Sequence, residues 1–261
     1  MKAEKKFLAL GARLFKCKSV HTLGVRPNFS DYTAREADMI IKADKIYYPT
    51  AFYADLFNVM GKQTFPSFHT YKFVQDKIKQ TALFEILNIA HPRTRIFYGK
   101  QQKKKILQYF KFPFIAKQPR NSSMGHGVFF IKNMKDLSNY LLNPWPAYIQ
   151  EYLPVHRDMR IIIIGREIVL SYFRIAKKGE FRANISLGGE ISFDPVPEQA
   201  LAMALDTAIR CGWDDVGMDI IEYKNKFYVI EANMKYGKKG FRKAGIDYSS
   251  LLETLLMNGK I

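Results

Sequence analysis

Apolar and polar positions alternate along the chain in two rhythms, one typical of short strands and one of amphipathic helices. Strands are predicted at 46–50, 112–118, 128–131, 148–152, 157–164 and 166–174, with a hairpin at 216–223 and 227–232. Helices are predicted at 33–44, 51–61, 75–89, 100–109, 133–142, 197–211 and 240–260. Pro92 makes residues 91–99 extended, and the first 18 residues should form a strand or short helix. The first 70 residues are therefore predicted to be a small α/β unit.

The hairpin carries three oxygen-bearing side chains among apolar residues, namely Asp219, Glu231 and Asn233. Side chains two apart on a strand share a face, so Glu231 and Asn233 point the same way, roughly 7 Å apart. Asp219 joins them if residue 219 pairs with residue 231. That pairing needs a three-residue loop at 224–226 or a bulge, because a two-residue turn alone would send Asp219 to the other face. Two carboxylates and an amide oxygen suit Mg²⁺, with Mn²⁺ as an alternative, unless the three side chains lie on a solvated outer face.

The apolar strand at 112–118 carries a lysine at its end. The ammonium of Lys117 must reach water or an anion, because a buried charge is costly without a partner. Residues 121–127 follow as a small, glycine-containing loop, whose backbone N–H groups could approach phosphate oxygens. An ordinary turn has a similar composition, so this segment indicates either a phosphate site or a simple hairpin.

Size and composition predict a globular protein. The chain has 261 residues, of which 48% are hydrophobic, enough for two or three subdomains. Cys17 and Cys211 lie far apart without metal-ligand spacing, which fits a reducing compartment. No apolar run approaches a membrane span, and Arg13 interrupts a segment that faintly imitates a signal peptide. A cytoplasmic location without membrane association is therefore expected.

The formal net charge of +17 is concentrated in the amino-terminal half. Residues 1–120 hold 23 Lys+Arg against 8 Asp+Glu, whereas residues 121–261 hold 18 against 16. This asymmetry predicts an anionic partner, which could be nucleotide phosphates, an acidic peptide or a nucleic acid. The alternative is a solvated basic surface, with Lys103–Lys105 on an exposed helix face and Lys177 and Lys178 in an exposed turn.

Several motifs follow one another in a definite order. They are a strand lysine, a small-residue hairpin loop, a Q-E-Y strand, a D-x-R, an R…F-R-x-N…G-G and a D…E-x-N hairpin with twelve residues from Asp219 to Glu231. In this order the chain resembles the ATP-grasp superfamily, in particular its RimK-type branch of carboxylate–amine ligases. The resemblance covers about residues 71–261 and is most specific over 148–240.

The resemblance implies an α+β fold, the ATP-grasp fold, in which two α/β subdomains clasp ATP. The lid subdomain would span about residues 90–148 and the carboxy-terminal subdomain about residues 149–261. Residues 1–70, where no motif matches, would be a small amino-terminal α/β domain.

The resemblance also implies roles for individual residues. The phosphates of ATP would be contacted by Lys77, Lys117, Ser122, Ser123, Gly125 and Gly127. The adenine hinge would consist of Gln150, Glu151, Tyr152 and Leu153, with the Glu151 carboxylate accepting from the exocyclic amine. Asp158 would hold the ribose hydroxyls. Arg174 would stabilise charge on the transferred phosphoryl group, and Arg160 would either pair with Asp158 or reach phosphate. Magnesium would be held by Asp219, Glu231 and Asn233. The acceptor would be faced by Arg182, Asn184 and Lys235, although Arg182 could also be a surface cation.

The activity implied is ATP-dependent and Mg²⁺-requiring. A carboxylate attacks the γ-phosphate, and an amine, expected to be that of an amino acid, then displaces phosphate from the acyl phosphate to form an amide. The partners expected are ATP, an anionic peptide or small-metabolite acceptor and an amino acid. The alternatives are an ATP-grasp kinase and a nucleotide-regulated protein that binds RNA or ribosomes, which is not favoured. The histidines are expected to be structural or surface residues, and His126 in the phosphate loop is the exception.

The chain departs from the RimK-type pattern directly after Glu231-Ala232-Asn233. The branch usually continues with small residues and Pro-Gly, whereas residues 234–240 here are MKYGKKG. Lys235, Lys238 and Lys239 would favour an acceptor with several carboxylates or phosphates, unless they are simply solvated.

Overall fold

The strands in the described part of the chain form three sheets. A computed structural model describes residues 7–73, 76–120, 127–177 and 189–261. Each sheet has a hydrophobic core of its own, and the third sheet is covered by buried side chains on both faces. Mixed helix and sheet content agrees with the predicted α+β class.

The first sheet is parallel, with strand order β2-β1-β3-β4. Its strands are β1 (Phe7–Ala9), β2 (Val20–Thr22), β3 (Lys45–Tyr47) and β4 (Gln63–Phe65), and the helices nearby are α1 (Ala34–Lys42), α2 (Ala51–Val59) and α3 (Phe68–Phe73). Thr33 and Glu36 form a capping box at the start of α1, which lies within the helix predicted over 33–44. No helix was predicted at α3, because six residues are too few to show a helical period.

The second sheet is antiparallel, with strand order β5-β8-β6-β7. Its strands are β5 (Thr94–Phe97), β6 (Phe114–Lys117), β7 (Val128–Ile131) and β8 (Ala147–Glu151). Helices α5 (Gly99–Lys103), α6 (Ile106–Tyr109) and α7 (Met134–Leu141) accompany it. The prediction of one helix over 100–109 is wrong, since the chain turns at Lys104 and Lys105 so that Ile106 can enter the core.

The third sheet is also antiparallel, with strand order β11-β10-β9-β12-β13. Its strands are β9 (Arg157–Ile164), β10 (Glu167–Ile175), β11 (Glu190–Ser192), β12 (Asp215–Tyr223) and β13 (Lys226–Asn233). Helix α8 (Glu198–Cys211) connects β11 to β12, α9 (Lys239–Lys243) and α10 (Tyr248–Met257) follow β13, and α4 (Lys77–Ile86) precedes the second sheet. A single helix over 240–260 is wrong, because Gly245 has a φ of +70° and Asp247 caps a new helix.

Met159, Ile161 and Ile163 of β9 belong to the core that contains α8, and Ile162 and Ile164 belong to the core that contains α10. Alternate side chains of β9 therefore lie on two opposite buried faces of the third sheet. The face of Ile162 and Ile164 also carries the polar residues described below. Within the described part of the chain, every helix is too short or too polar to cross a membrane. The domain boundaries stay predictions, although β8 continues the second sheet to Glu151.

Candidate active site

The β12–β13 hairpin places Asp219 directly opposite Glu231. Its turn has only two residues, Lys224 and Asn225, both with positive φ as in a type I′ turn. A bulge then shifts the pairing, so that Ile220 pairs with Val229 and Asp219 with Glu231, leaving Ile230 as the extra residue. The bulge, one of the two geometries expected, thus brings Asp219 onto the face of Glu231 and Asn233.

Two arginines reach Asp219, Arg160 from the adjacent strand β9 and Arg174 from β10, on the far side of β9. Arg160 lies opposite Asp219 across β9 and β12 and donates from Nε to Oδ1 and from Nη2 to Oδ2, the second bond being 2.9 Å. The Nη2 atom of Arg174 lies 2.8 Å from Oδ2 of the same carboxylate. All three residues are at most 7% exposed. The expected alternative that Arg160 pairs with Asp158 is wrong, because the register puts Asp158 opposite Arg174 instead.

Asp158 accepts both of its hydrogen bonds here from Arg174, at 2.6 and 2.7 Å. Its carboxylate therefore orients the arginine, since a bidentate pair fixes the plane of the guanidinium. The role predicted for Asp158 at the ribose stays a prediction.

Two lysines approach Glu231 from outside the third sheet. Lys77, the first residue of α4, lies 3.4 Å from Oε2 of Glu231, and Asn233 donates to Oε1 at 2.6 Å. Burial tends to raise the pKa of Glu231, but the ammoniums of Lys77 and Lys117 outweigh it and hold the pKa at about 2. Burial lowers the pKa of Lys117 to about 8, although Glu231 opposes the shift. The site thus gathers four cations, Lys77, Lys117, Arg160 and Arg174, around the carboxylates of Asp158, Asp219 and Glu231. Such an arrangement can bind a polyphosphate.

Helix α4 links the two sheets that carry these groups. Its cap Asp76 accepts from Arg120 at 2.8 Å, and Lys77 donates its backbone N–H to Pro119 at 3.0 Å. The Gln80 amide bonds both backbone groups of Ala232, and the Thr81 hydroxyl lies 2.7 Å from that of Tyr148, beneath Lys117. Sequence reasoning missed the contribution of Gln80 and Thr81. The signal available was two polar residues on the buried side of an amphipathic helix.

Of the four residues predicted to form the adenine hinge, Gln150 and Glu151 end strand β8 and point to opposite faces of the second sheet. Gln150 is 4% exposed and donates to Thr94 at 2.9 Å, whereas Glu151 accepts from the backbone N–H of Arg93 at 2.6 Å. The Glu151 side chain lines a cleft of about 370 Å³, together with residues of α6. The Tyr152 ring packs against Phe130, with ring centroids 4.6 Å apart. Gly127 follows the loop at the start of β7 and its carbonyl accepts from Gln118 at 2.7 Å.

Several predicted residues lie outside the described residues, namely Ser122, Ser123, Gly125, His126, Lys178, Arg182 and Asn184. Leu153 is partly buried, and Lys235, Lys238 and Lys239 are exposed. The Lys238 ammonium lies 4.5 Å from the centroid of the Tyr248 ring.

Tyr236, in the segment that follows Asn233, connects this segment to the amino-terminal region by hydrogen bonds with Asp215 and Arg13. Its hydroxyl donates to Asp215 at 2.6 Å, and Arg13 donates to the other oxygen of Asp215 at 3.0 Å and to the Met234 carbonyl at 3.2 Å. Burial raises the pKa of Asp215 to about 6, with Arg13 and Tyr236 opposing. Tyr236 lies so close to Gly217 that a Cβ added to this glycine would come within 2.5 Å of the Tyr236 Cβ and 3.2 Å of the first ring atom, Cγ. The Tyr236 carbonyl in turn accepts from Arg160 at 3.4 Å.

The donor set Asp219, Glu231 and Asn233 fits a hard divalent cation. Within the described part of the chain, no group of three or more His, Cys, Asp or Glu side chains could hold a metal ion by itself. Here two carboxylates and an amide share one face, and such oxygen ligands leave positions for water and phosphate.

Three comparisons with known proteins agree with this geometry. A family model described as a RimK-like ATP-grasp domain matches residues 74–255. Among curated proteins, the chain is 30% identical over 187 residues to a coenzyme gamma-F420-2:alpha-L-glutamate ligase of Methanocaldococcus jannaschii, covering 68% of this chain and 64% of that protein. It is 34% identical over 102 residues to a ribosomal protein bS6–L-glutamate ligase of Escherichia fergusonii, covering 38% of this chain and 34% of that protein. The chain thus spans less than two thirds of the length of either relative.

Solved structures show the fold. The RimK domain ATP-grasp protein of Sphaerobacter thermophilus superposes with a TM-score of 0.69 at 14% identity, covering 95% of this chain and 98% of that one. The D-alanine–D-alanine ligase of Bacillus anthracis superposes with a TM-score of 0.68 at 12% identity, covering 98% and 97%. The predicted ATP-grasp fold is therefore confirmed.

Proposed function

Because the chain belongs to the RimK-like ATP-grasp family, we propose that it is an ATP-dependent ligase that joins an amine to a carboxylate. The carboxylate attacks the γ-phosphorus and ADP leaves; the amine nitrogen then attacks the acyl phosphate, and phosphate leaves as the amide forms. The observation that carries the proposal is the polar face of the third sheet, where Asp219, Glu231, Arg160 and Arg174 converge beside Lys77 and Lys117.

The residues of this face would act by positioning and by charge. Lys117 and Lys77 would bind phosphate oxygens as point charges, while Arg174, held by Asp158, would face the transferred phosphoryl group. Arg160 would keep Asp219 in place through its bidentate pair. No nucleophilic side chain is needed, because the acceptor carboxylate and the amine are themselves the nucleophiles. Exclusion of water would protect the acyl phosphate from hydrolysis.

Asp219, Glu231 and Asn233 would hold Mg²⁺, with Mn²⁺ as a substitute. The ion, when bound, neutralises phosphate charge and makes the γ-phosphorus easier to attack. The low pKa of Glu231, about 2, keeps this ligand ionised throughout the physiological range.

The acceptor is proposed to be anionic. Lys235, Lys238 and Lys239 follow β13 as an exposed basic segment. Arg182 and Asn184, which lie outside the described residues, are the other residues expected to face the acceptor. Several curated relatives are named as L-glutamate ligases, so L-glutamate is the first amine to try. A cytoplasmic site of action, where ATP is abundant, belongs to the same proposal.

The test is a screen of the purified chain with ATP, Mg²⁺, each amino acid and pooled carboxylate acceptors. ADP and phosphate should appear only when acceptor and amine are both present, with an amide product identified by mass. Asp219→Asn and Glu231→Gln should abolish turnover. Glu222→Gln, an equivalent change on the exposed end of β12, is the matched control and should have no effect.

Two results would favour other functions. A phosphorylated acceptor formed without any amine would identify a kinase. RNA or ribosome binding that weakens steeply with salt and survives Asp219→Asn would favour a binding role for the basic half. ATP binding without turnover on any acceptor would contradict the ligase proposal.

A further inference from the structure

Strand β13 lies at the edge of the third sheet, which leaves some of its backbone groups without a strand partner on the outer side. Two segments outside the sheet supply partners. Val229 donates its backbone N–H to the Ala90 carbonyl at 2.9 Å, and Ala232 bonds the side chain of Gln80. The bulge at Ile230 and the ligand candidate Glu231 lie between these two anchors.

The Gln80 amide makes the two hydrogen bonds to Ala232 that a neighbouring strand would otherwise make. Its Oε1 accepts from the Ala232 N–H at 2.9 Å, and its Nε2 donates to the Ala232 carbonyl at 3.0 Å. The same Nε2 donates to the Phe73 carbonyl at 3.2 Å, and the side chain is 3% exposed. Both amide hydrogens therefore have an acceptor, and the side chain is fixed in one orientation.

Ala232 is the residue between Glu231 and Asn233. Its own side chain faces the core with α8, so the two flanking side chains face the opposite side with Asp219. Fixing both peptide groups of Ala232 therefore fixes the directions in which Glu231 and Asn233 leave the strand. Loss of the bulge by a one-residue slip would turn both side chains away from Asp219.

We propose that Gln80 is a positioning residue whose amide clamps β13 at Ala232 and so maintains the bulged register on which the divalent-cation site depends. The inference deepens the proposed function, since it assumes that Glu231 and Asn233 hold the cation. Helix α4 would then hold the ligand strand twice, at its backbone through Gln80 and at the Glu231 carboxylate through Lys77 one turn earlier.

The primary variant is Gln80→Met, which keeps the length of the side chain and removes its hydrogen bonds. The matched control is Thr70→Val, which removes the buried Thr70 hydroxyl and its hydrogen bonds to Ser67 and Asp214, away from the cation site; like Gln80→Met, it removes three hydrogen bonds between described residues and should cost similar stability. Binding of Mn²⁺ in the presence of ADP is followed by electron paramagnetic resonance, which requires no turnover. Unfolding in urea shows that each variant is folded.

Gln80→Met should weaken Mn²⁺ binding by about tenfold or more, the effect usual for residues that orient metal ligands, while Thr70→Val should bind like the wild type. Turnover should show a raised KM for Mg²⁺ with kcat largely recovered at saturation. Hydrogen exchange of the Ala232 amide should become faster in Gln80→Met. Gln80→Glu provides a second variant, because a protonated carboxyl can donate one bond and accept one, so binding should approach wild type at pH 6 and fall at pH 8.

Unchanged Mn²⁺ affinity in Gln80→Met, with binding abolished in Glu231→Gln, would overturn the inference and leave the proposed cation site intact. Equal Mn²⁺ binding in the wild type and in Glu231→Gln would overturn the cation site itself, and the role of Gln80 with it.

Discussion

Lys117 should make the protein less stable at neutral pH than at alkaline pH. Its side chain is 4% exposed, and burial lowers its pKa from 10.5 to about 8. Between these two values the unfolded chain holds a proton that the folded protein has released, so stability rises as the pH rises. The difference corresponds to roughly 3 kcal/mol, at about 1.4 kcal/mol for each pH unit.

The perturbation is Lys117→Met, which removes the charge and keeps the apolar stem. The free energy of unfolding is measured in urea from pH 7 to pH 10 for wild type and variant without nucleotide. The advantage of the variant over the wild type should shrink by roughly 2 kcal/mol over this range, since most of the titration lies within it. Comparing two pH values cancels pH-independent effects of the substitution, such as altered packing, while the attraction of Glu231 for the Lys117 ammonium is already contained in the pKa of about 8.

Lys135→Met on the exposed surface of α7 is the control and should show a constant difference. A difference between Lys117→Met and wild type that does not change with pH would refute the reasoning. ATP binding gives an independent check. A bound phosphate should favour the charged form of Lys117, so ATP binding near pH 8.5 should be accompanied by the uptake of a proton by this side chain. Calorimetry in two buffers with different ionisation enthalpies should detect this uptake in the wild type and not in Lys117→Met.

Three further predictions concern the cluster around Asp215, which is 0% exposed. Arg13→Met should cost about 3 kcal/mol of unfolding free energy in urea, because it leaves a buried carboxylate without its cation, and adding Asp215→Asn should recover part of the loss; additive single effects would contradict this pairing. Because the pKa of Asp215 is raised from 3.8 to about 6, the wild type should lose stability relative to Asp215→Asn as the pH rises from 4 to 6, and parallel pH profiles would argue against burial as the cause. Gly217→Ala should cost about 1–3 kcal/mol and lower turnover, because its Cβ would lie 2.5 Å from Tyr236 and 3.2 Å from Arg160; wild-type melting and activity would show that the segment yields easily.

The sequence predicted the residues that converge at the site better than it predicted their partners. Alternation and spacing placed Asp219, Glu231 and Asn233 on one face, and the bulge was one of two geometries that allowed it. The pairing of Arg160 with Asp219 depends on how β9 and β12 are aligned, and no pattern within either strand specifies that alignment.

Long-range packing also decided which residues were missed. Gln80 and Ala232 are far apart in the chain, and their bonds depend on where α4 docks against the sheet edge. From the sequence, Tyr236 belongs to the altered segment on the acceptor side. In the structure its hydroxyl donates a hydrogen bond to Asp215 and accepts one from Arg13. Helix ends were predicted well where a cap is local, as at Thr33, and poorly where a single glycine divides a helical pattern, as at Gly245.

The bond from Arg13 to Asp215 has a consequence for how this chain could be recombined with its relatives. An amino-terminal region taken from another protein would bring its own residue to the position of Arg13, and any uncharged residue there would leave the buried Asp215 carboxylate without its cation. The same exchange would remove the hydrogen bond that Arg13 donates to the carbonyl of Met234, the residue directly after β13. A functional chimera would therefore have to carry over the partners on both sides of this contact, so the two regions are expected to be inherited together.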